Sequence, residues 1–316
     1  MSEKVATRVA YGKALLEFAP EHPELVVLDA DLSGSTNAAV FGKAYPDRFF
    51  NLGIAEQNMI SVAAGLATCG KHVFASSFAM FSTGRAYDQV RTSVALPKLD
   101  VTVVGSHGGL SVGEDGPTHQ CCEDLTTMSG LPNMTVLCPC DGFEMRLAVK
   151  ALLERKGPAY LRMARLATPM FTDAIPGYTF EIGKGVTLRD GKDVTIAATG
   201  MMVGIAMEAA KLLAEQGIDA RVLNIHTIKP LDGELLLKAA KETGCIVTSE
   251  EHSIIGGLGT AVAAYLSETC PVPVIRHGVP DRFGRSGKAL AVLDYFGLNP
   301  AGVMESVHKA LALKKG

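Results

Sequence analysis

Short, mostly apolar runs recur along the first half of this chain, each separated from the next by a stretch of helical period. They are Leu25-Val26-Val27-Leu28, His72-Val73-Phe74-Ala75, Val101-Thr102-Val103-Val104, Thr135-Val136-Leu137-Cys138 and Ala159-Tyr160-Leu161-Arg162. Strands without polar alternation have no face to offer to water. Such runs alternating with helices build a parallel sheet covered on both faces. Helices are predicted over 5–18, 55–68, around Arg85–Val90 and over 141–155.

The second half repeats this logic more compactly. Strands are predicted at 193–198, 219–225, 245–249 and 272–275, with helices at about 201–216, 232–242, 258–268 and 300–313. Between the halves, residues 165–191 carry Pro169, Pro176, Gly177, Gly183, Gly185 and Gly191 with no sustained period, which reads as a connection. At 316 residues the chain has room for two cores. The expectation is α/β: two three-layer α/β/α domains, residues 1–168 and 191–316, joined by a linker at 169–190. No internal repeat or low-complexity segment interrupts them.

Composition excludes some functions. A net charge of −3 lacks the basic excess of a nucleic-acid binder, and no apolar run approaches the ~18 residues of a spanning helix. The opening Met-Ser-Glu-Lys-Val-Ala-Thr-Arg has no apolar signal-peptide core, and seven cysteines, an odd number, suggest reduced thiols. Both point to the cytoplasm. Cys121-Cys122 and Cys138-Pro139-Cys140 lack C-x-x-C spacing, so buried thiols are preferred to a zinc site.

The chemistry concentrates in loops that mostly follow strands, where open α/β sheets bind ligands. Asn51-Leu52-Gly53-Ile54-Ala55-Glu56-Gln57-Asn58 places a carboxylate ahead of Met59-Ile60-Ser61-Val62-Ala63-Ala64-Gly65-Leu66-Ala67. Two readings are open for Glu56. It is an acid favoured in a helix's first turn, or a desolvated carboxyl group whose pKa is raised for proton work. Other loops offer Asp31 and Ser35, then Phe78 and Phe81, then His107, Asp115 and His119 within Ser106–Gln120. The two histidines can donate to sugar hydroxyls or phosphate, or shuttle protons near neutral pH. The spacing of His107, Asp115 and His119 fits no tight metal-ligand pair. Phe78 and Phe81, three apart, share a face if helical, as core or as a platform for a flat ring.

Gly257-Leu258-Gly259-Thr260-Ala261-Val262 half resembles a dinucleotide fingerprint. Val262 stands where Gly or Ala is needed, and Glu250–Ser253 spoil the tight turn. There is no phosphate-cradling G-x-x-x-x-G-K-[ST] loop and no nucleophile elbow. The residues alone support an α/β enzyme acting on a polyhydroxylated or phosphorylated small molecule.

The phrases G-I-A-E-Q-N, S-F-A-M-F and G-E-D-G-P-T-H-Q, in this order and setting, resemble the C-terminal half of transketolase. The likeness covers essentially the whole chain: a pyrimidine-binding domain, then the transketolase C-terminal domain. Arg85-Ala86-Tyr87-Asp88-Gln89-Val90 is more like 1-deoxyxylulose-5-phosphate synthase, and β subunits of 2-oxo-acid dehydrogenases share the domain pair.

This resemblance implies thiamine diphosphate chemistry. Glu56 would contact N1′ of the aminopyrimidine, favouring the imino tautomer that deprotonates C2 of the thiazolium. Phe78 and Phe81 would flank the pyrimidine, and Asp31 would lie near the cofactor and a subunit contact. Gly84 falls where transketolases often carry a Tyr. His107, Asp115 and His119 would contact sugar hydroxyls and phosphate, with His119 also catalytic. Arg8, Ser35 and Arg165 would bind phosphate, Arg162 competing with Arg165 for that part. The family's G-D-G…Asn segment for Mg²⁺ (or Ca²⁺) and the diphosphate is missing here. The chain would therefore be the C-terminal subunit of a split transketolase, working with an N-terminal partner in an α2β2 assembly. The reaction would move a two-carbon ketol unit from a ketose phosphate to an aldose phosphate. The small-residue helix from Glu56 would pack across the interface. A split deoxyxylulose phosphate synthase, a 2-oxo-acid dehydrogenase component and a non-catalytic scaffold are the alternatives.

Overall fold

The computed structural model of the chain describes residues 3–314. Seven strands form the first sheet, in the order Thr227–Lys229, Thr135–Leu137, Ala159–Arg162, Val101–Ser106, His72–Phe78, Leu25–Asp29 and Phe49–Asn51. Neighbours are parallel except for Thr227–Lys229, which runs antiparallel to Thr135–Leu137.

Strand Leu25–Asp29 is buried at every position, and its alternation serves two cores. Leu25 and Val27 join Tyr11, Leu15, Phe41 and Val149 on one face. Val26 and Leu28 join Met59, Ile60 and Ala63 on the other. Helices Thr7–Phe18 and Gly142–Glu154 therefore cover one side of the sheet and Glu56–Thr68 the other. This is the architecture expected from apolar runs lacking polar alternation.

The second sheet runs Val274–Val279, Ile246–Ser253, Val194–Ala198, Ala220–Asn224 and Val186–Arg189, antiparallel only at the last pairing. Val194, Ile196, Val222 and Val247 pack with Val203, Ala206, Ala210, Val303 and Val307. Ala197, Leu223 and Ile246 join Leu258, Val262 and Leu266, in an apolar cluster continuous with Met59 and Ile60 of the first domain.

Several elements differ from the sequence-based expectation. Lys4–Ala6, whose Val5 and Ala6 were expected to open the 5–18 helix, is a strand paired antiparallel with Ala167–Pro169. Val186–Arg189, within the expected linker, is the edge strand of the second sheet, and Thr227–Lys229 joins the first sheet from the second half. The Ser33–Asn37 loop turns helical at Ser33–Thr36, and helices Ala38–Ala44, Asp124–Ser129 and Ala289–Tyr295 were not foreseen. Among the described residues no helix is long and apolar enough to cross a membrane. The seven cysteines are free thiols, four of them buried.

The fingerprint-like glycines also find their explanation. Leu258–Thr269 is a helix whose first amides, on Leu258 and Gly259, donate to the Glu250 carboxylate at 2.7 Å each. That helix end is occupied by its own acid.

Candidate active site

Glu56 is the first residue of helix Glu56–Thr68 and is 1% exposed. A buried carboxylate needs a partner, and Arg85 supplies one. Its Nη1 donates to Oε1 at 2.8 Å and to Oε2 at 2.9 Å. The sequence reading left this acid without a counterion; the structure corrects that. Each carboxylate oxygen retains capacity for another donor.

Arg85 arrives through a wide helical turn over Met80–Arg85, in which the Ala86 N–H reaches back to the Phe81 carbonyl at 3.3 Å. Such turns widen a helix by one residue and often occur at functional sites. The Arg85 guanidinium lies 4.4 Å from the Phe81 ring centre.

Phe78 and Phe81 do not share a helical face, because Phe78 ends strand His72–Phe78 and Phe81 follows in the helix. The strand-to-helix junction still stacks their rings, 6.0 Å apart and 14° from parallel. His107 continues the stack 4.1 Å from Phe78, while His119 meets Phe81 edge-on at 5.3 Å. A surface of three near-parallel rings with one edge donor suits a flat heteroaromatic or a sugar.

His107 follows strand Val101–Ser106 at φ +59°, a conformation uncommon outside glycine, with its Nδ1 2.8 Å from Ser106 Oγ. Burial first, and then the positive charge of Arg8 and Arg165, push its pKa down to about 3. Its imidazole is neutral at neutral pH. One ring nitrogen is therefore available as an acceptor and the other as a donor.

The two arginines form a second centre. Arg8 Nη1 donates to the Ser35 carbonyl at 2.9 Å, and Arg8 Nε to the Arg165 carbonyl at 3.4 Å. Burial and repulsion from Arg165 hold Arg8 below its ordinary pKa. Arg165 donates to the Val112 carbonyl at 2.5 Å and to Glu114 at 2.9 Å. Arg162 is not available to a ligand: it is buried, with Nε on Asp124 at 2.7 Å.

The remaining candidates are less tightly joined. Ser35 enters through its carbonyl, not its hydroxyl. Asp31 is exposed at φ +62° and is tied to Asn51, at the head of the Glu56 stretch, by bonds of 3.0 and 3.3 Å. Asp115 is exposed and has no side-chain bond to the other candidates; its neighbour Glu114 is the acid that meets Arg165. Sequence reasoning missed Arg85, Asn51, Ser106 and Glu114. Only Arg85 had a usable clue, its place in the Arg85–Val90 phrase.

A cleft of about 810 Å³ opens beside Phe81 and Arg85 and is lined by Thr118, Gln120, Cys122, Arg282 and Phe283 among others. Among the described residues no group of three or more His, Cys, Asp or Glu is arranged to hold a metal ion.

Comparison with known proteins identifies the family. Residues 3–170 match the transketolase pyrimidine binding domain, and residues 183–303 match the transketolase C-terminal domain. The chain is 49% identical to a candidate transketolase C-terminal section of Methanocaldococcus jannaschii, over 95% of this chain and 94% of that one. It is 43% identical to a 6-deoxy-6-sulfo-D-fructose transketolase subunit of a Clostridium species, over 97% and 95%. A solved structure described as a split gene transketolase in an inactive β4 tetramer superposes with a TM-score of 0.91 at 50% identity, covering 98% of this chain and 99% of that one. The chain belongs to the transketolase family.

Proposed function

We propose that this chain is the C-terminal subunit of a split transketolase that transfers a two-carbon ketol unit between sugar phosphates with thiamine diphosphate. One observation carries the reading. An unbroken series of contacts runs from the buried Glu56 carboxylate through Arg85 to Phe81, Phe78 and His107. It joins a proton-handling acid, a ring platform and a sugar-facing loop in one site.

The residues present fit the pyrimidine half of that cofactor. Glu56, with lone pairs to spare beyond Arg85, would hold a proton at ring nitrogen N1′, and Phe78 and Phe81 would flank the ring. Thiamine diphosphate, when bound, supplies a stabilised carbanion on which a ketol unit can be carried. The protein's share is orientation and proton control. His107, neutral by burial, and His119 would meet the sugar hydroxyls. Arg8 and Arg165 would take the anionic end of the sugar, because two mutually repelling guanidinium groups gain from an anion between them. Asp31 and Asn51 would border the subunit contact. Asp115, exposed at the rim of the Ser106–Gln120 loop, would reach substrate hydroxyls.

The diphosphate and its Mg²⁺ would fall to an N-terminal partner subunit carrying the G-D-G segment. Relatives described as a section or a subunit, spanned almost end to end by this chain, support that division. The outward side of helix Glu56–Thr68, with Gln57, Asn58, Ser61 and Gly65 exposed beside the 77% exposed Ile54, is the surface proposed to meet it.

The test mixes this chain with the partner, thiamine diphosphate and Mg²⁺, and assays ketol transfer between sugar phosphates. Activity is expected only in the mixture and is expected to fall by at least about a hundredfold with Glu56→Ala. Full activity of the Glu56→Ala mixture rejects the mechanism. Carbon dioxide released from pyruvate instead would assign the chain to the synthase-like reading.

A further inference from the structure

The second domain reaches into the 106–120 loop. Ser111 N–H donates to Glu251 Oε1 at 2.5 Å, joining residues 140 positions apart. Glu251 lies on strand Ile246–Ser253, is 2% exposed, and its Oε2 has no hydrogen-bond partner among the described residues. Gly109, at φ +90°, makes room for it: a Cβ there would overlap the Glu251 carboxyl group.

Arg162 closes the other side of the same short run. Its guanidinium stands where a Cβ on Gly108 would fall, and its Nη2 donates to the Glu251 carbonyl at 2.9 Å and the Cys121 carbonyl at 3.4 Å. Gly108 and Gly109 donate in turn to Met163 O at 3.1 Å and Cys121 O at 2.7 Å. At the far end of the loop, Gln120 Nε2 donates to the Arg285 carbonyl of the second domain at 2.9 Å. The run from Gly108 to Ser111 is therefore clamped between Arg162 and Glu251, immediately after His107.

A fully buried carboxylate with one oxygen unpartnered is a costly means of seating a loop that apolar packing could hold. Its effect is to fix one amide, and with it the backbone that aims His107 at Phe78. We propose that Glu251 is a positioning residue for substrate binding, through which the second domain contributes to affinity at a site whose stacked rings (Phe78, Phe81, His107) and paired arginines (Arg8, Arg165) belong to the first. This rests on reading residues 106–120 as the sugar-facing loop.

Two readouts test it. Amide hydrogen exchange of the peptide spanning residues 108–113 is followed in the full chain, alone, for wild type, Glu251→Ala and Glu251→Gln. KM and kcat for a sugar phosphate are then measured after assembly with the partner, thiamine diphosphate and Mg²⁺. Glu251→Ala is expected to speed exchange about tenfold or more and to raise KM about tenfold with kcat nearly unchanged, the loss of roughly one buried hydrogen bond. Glu251→Gln keeps an acceptor oxygen and is expected to stay within about threefold of wild type in both readouts. Should Glu251→Ala fail to fold, Glu251→Asp, which keeps the acid but draws its oxygens back by one methylene from the Ser111 N–H, must produce the same pair of changes. Unchanged exchange in a folded variant overturns the proposal. Faster exchange with unchanged KM overturns the role in substrate binding while leaving the tether standing. If the wild-type assembly shows no ketol transfer, the function has failed, and the exchange arm still decides the tether.

Discussion

Arg85 donates from one nitrogen to both carboxylate oxygens of Glu56, and the two partners are unequally wet: Glu56 is 1% exposed, Arg85 47%. The acid is therefore the member that depends on the pair. Arg85 can recover hydration if the contact breaks, whereas Glu56 is left as an uncompensated buried charge. The guanidinium also lies over Phe81, so the same residue neutralises the acid and backs the ring platform.

Replacing Arg85 with Met should destabilise the chain by about 1–3 kcal/mol, below the full penalty for a fully buried pair because Arg85 is half-exposed. Pairing it with Glu56→Gln should recover most of that loss, since the double variant buries no charge. Urea denaturation of the four proteins of this cycle measures the coupling. Additive effects of the two substitutions would dismiss the pairing as unimportant.

The strands at the centre of both sheets were legible because each had to be apolar on both faces. What escaped were elements whose stability comes from partners far away in sequence. Lys4–Ala6 is a strand only because Ala167–Pro169 lies beside it, and Thr227–Lys229 only because Thr135–Leu137 has a free edge. The site divides in the same way. Glu56, Phe78, His107 and His119 stood in recognisable phrases. Arg85, 29 residues from Glu56, and Glu251, 140 residues from Ser111, gain meaning only through the fold. Phe78 and Phe81 would share a face only if both were helical; they meet through a strand-to-helix junction instead.

Arg162 and Arg165, three positions apart, should respond oppositely to the same substitution. Arg162→Met leaves the fully buried Asp124 with Tyr160 as its remaining hydrogen-bond donor, at 2.6 Å, and should cost about 3–5 kcal/mol. Arg165→Met removes a part-exposed side chain paired with the exposed Glu114, so its stability cost should stay below about 1 kcal/mol. In the assembled enzyme it should raise KM for sugar phosphate by about tenfold or more. Thermal denaturation and steady-state kinetics on both variants separate the roles; a stable Arg162→Met protein with weakened substrate binding would reverse the assignment.

His107 should remain neutral well below neutral pH, since burial, Arg8 and Arg165 hold its pKa near 3. Its unfolded-state value is near 6.5, so the unfolded chain takes up the proton first. The stability associated with the neutral ring is fully present above about pH 6.5 and is lost as pH falls through 3. Ring nitrogen shifts at pH 5 should report a neutral imidazole, and His107→Asn should make the acid limb of the stability curve shallower. A ring that protonates at pH 6 would show that this loop is open to water.

The second domain should carry the opposite pH dependence. Burial raises Glu250 and Glu251 to about 7, despite bonds to Leu258 and Gly259 in the one case and Ser111 in the other. Arg162, Asp124, His252 and the Cys122 thiol are among the charged or titratable groups facing them; Arg162 opposes the rise and Asp124 adds to it. For a carboxyl group raised in the folded state, the associated stability is fully present below the unfolded value near 4.5 and is lost as pH climbs through 7. Glu251→Gln removes one of the two groups without removing its acceptor oxygen. The stability lost between pH 5 and pH 8 should therefore be smaller in Glu251→Gln than in wild type. The difference between the proteins is the observable, because Asp29 and the buried histidines titrate in both alike. Denaturant curves at the two pH values measure it. Parallel losses in the two proteins would mean that Glu251 stays ionised throughout this range, its burial offset by Arg162 alone.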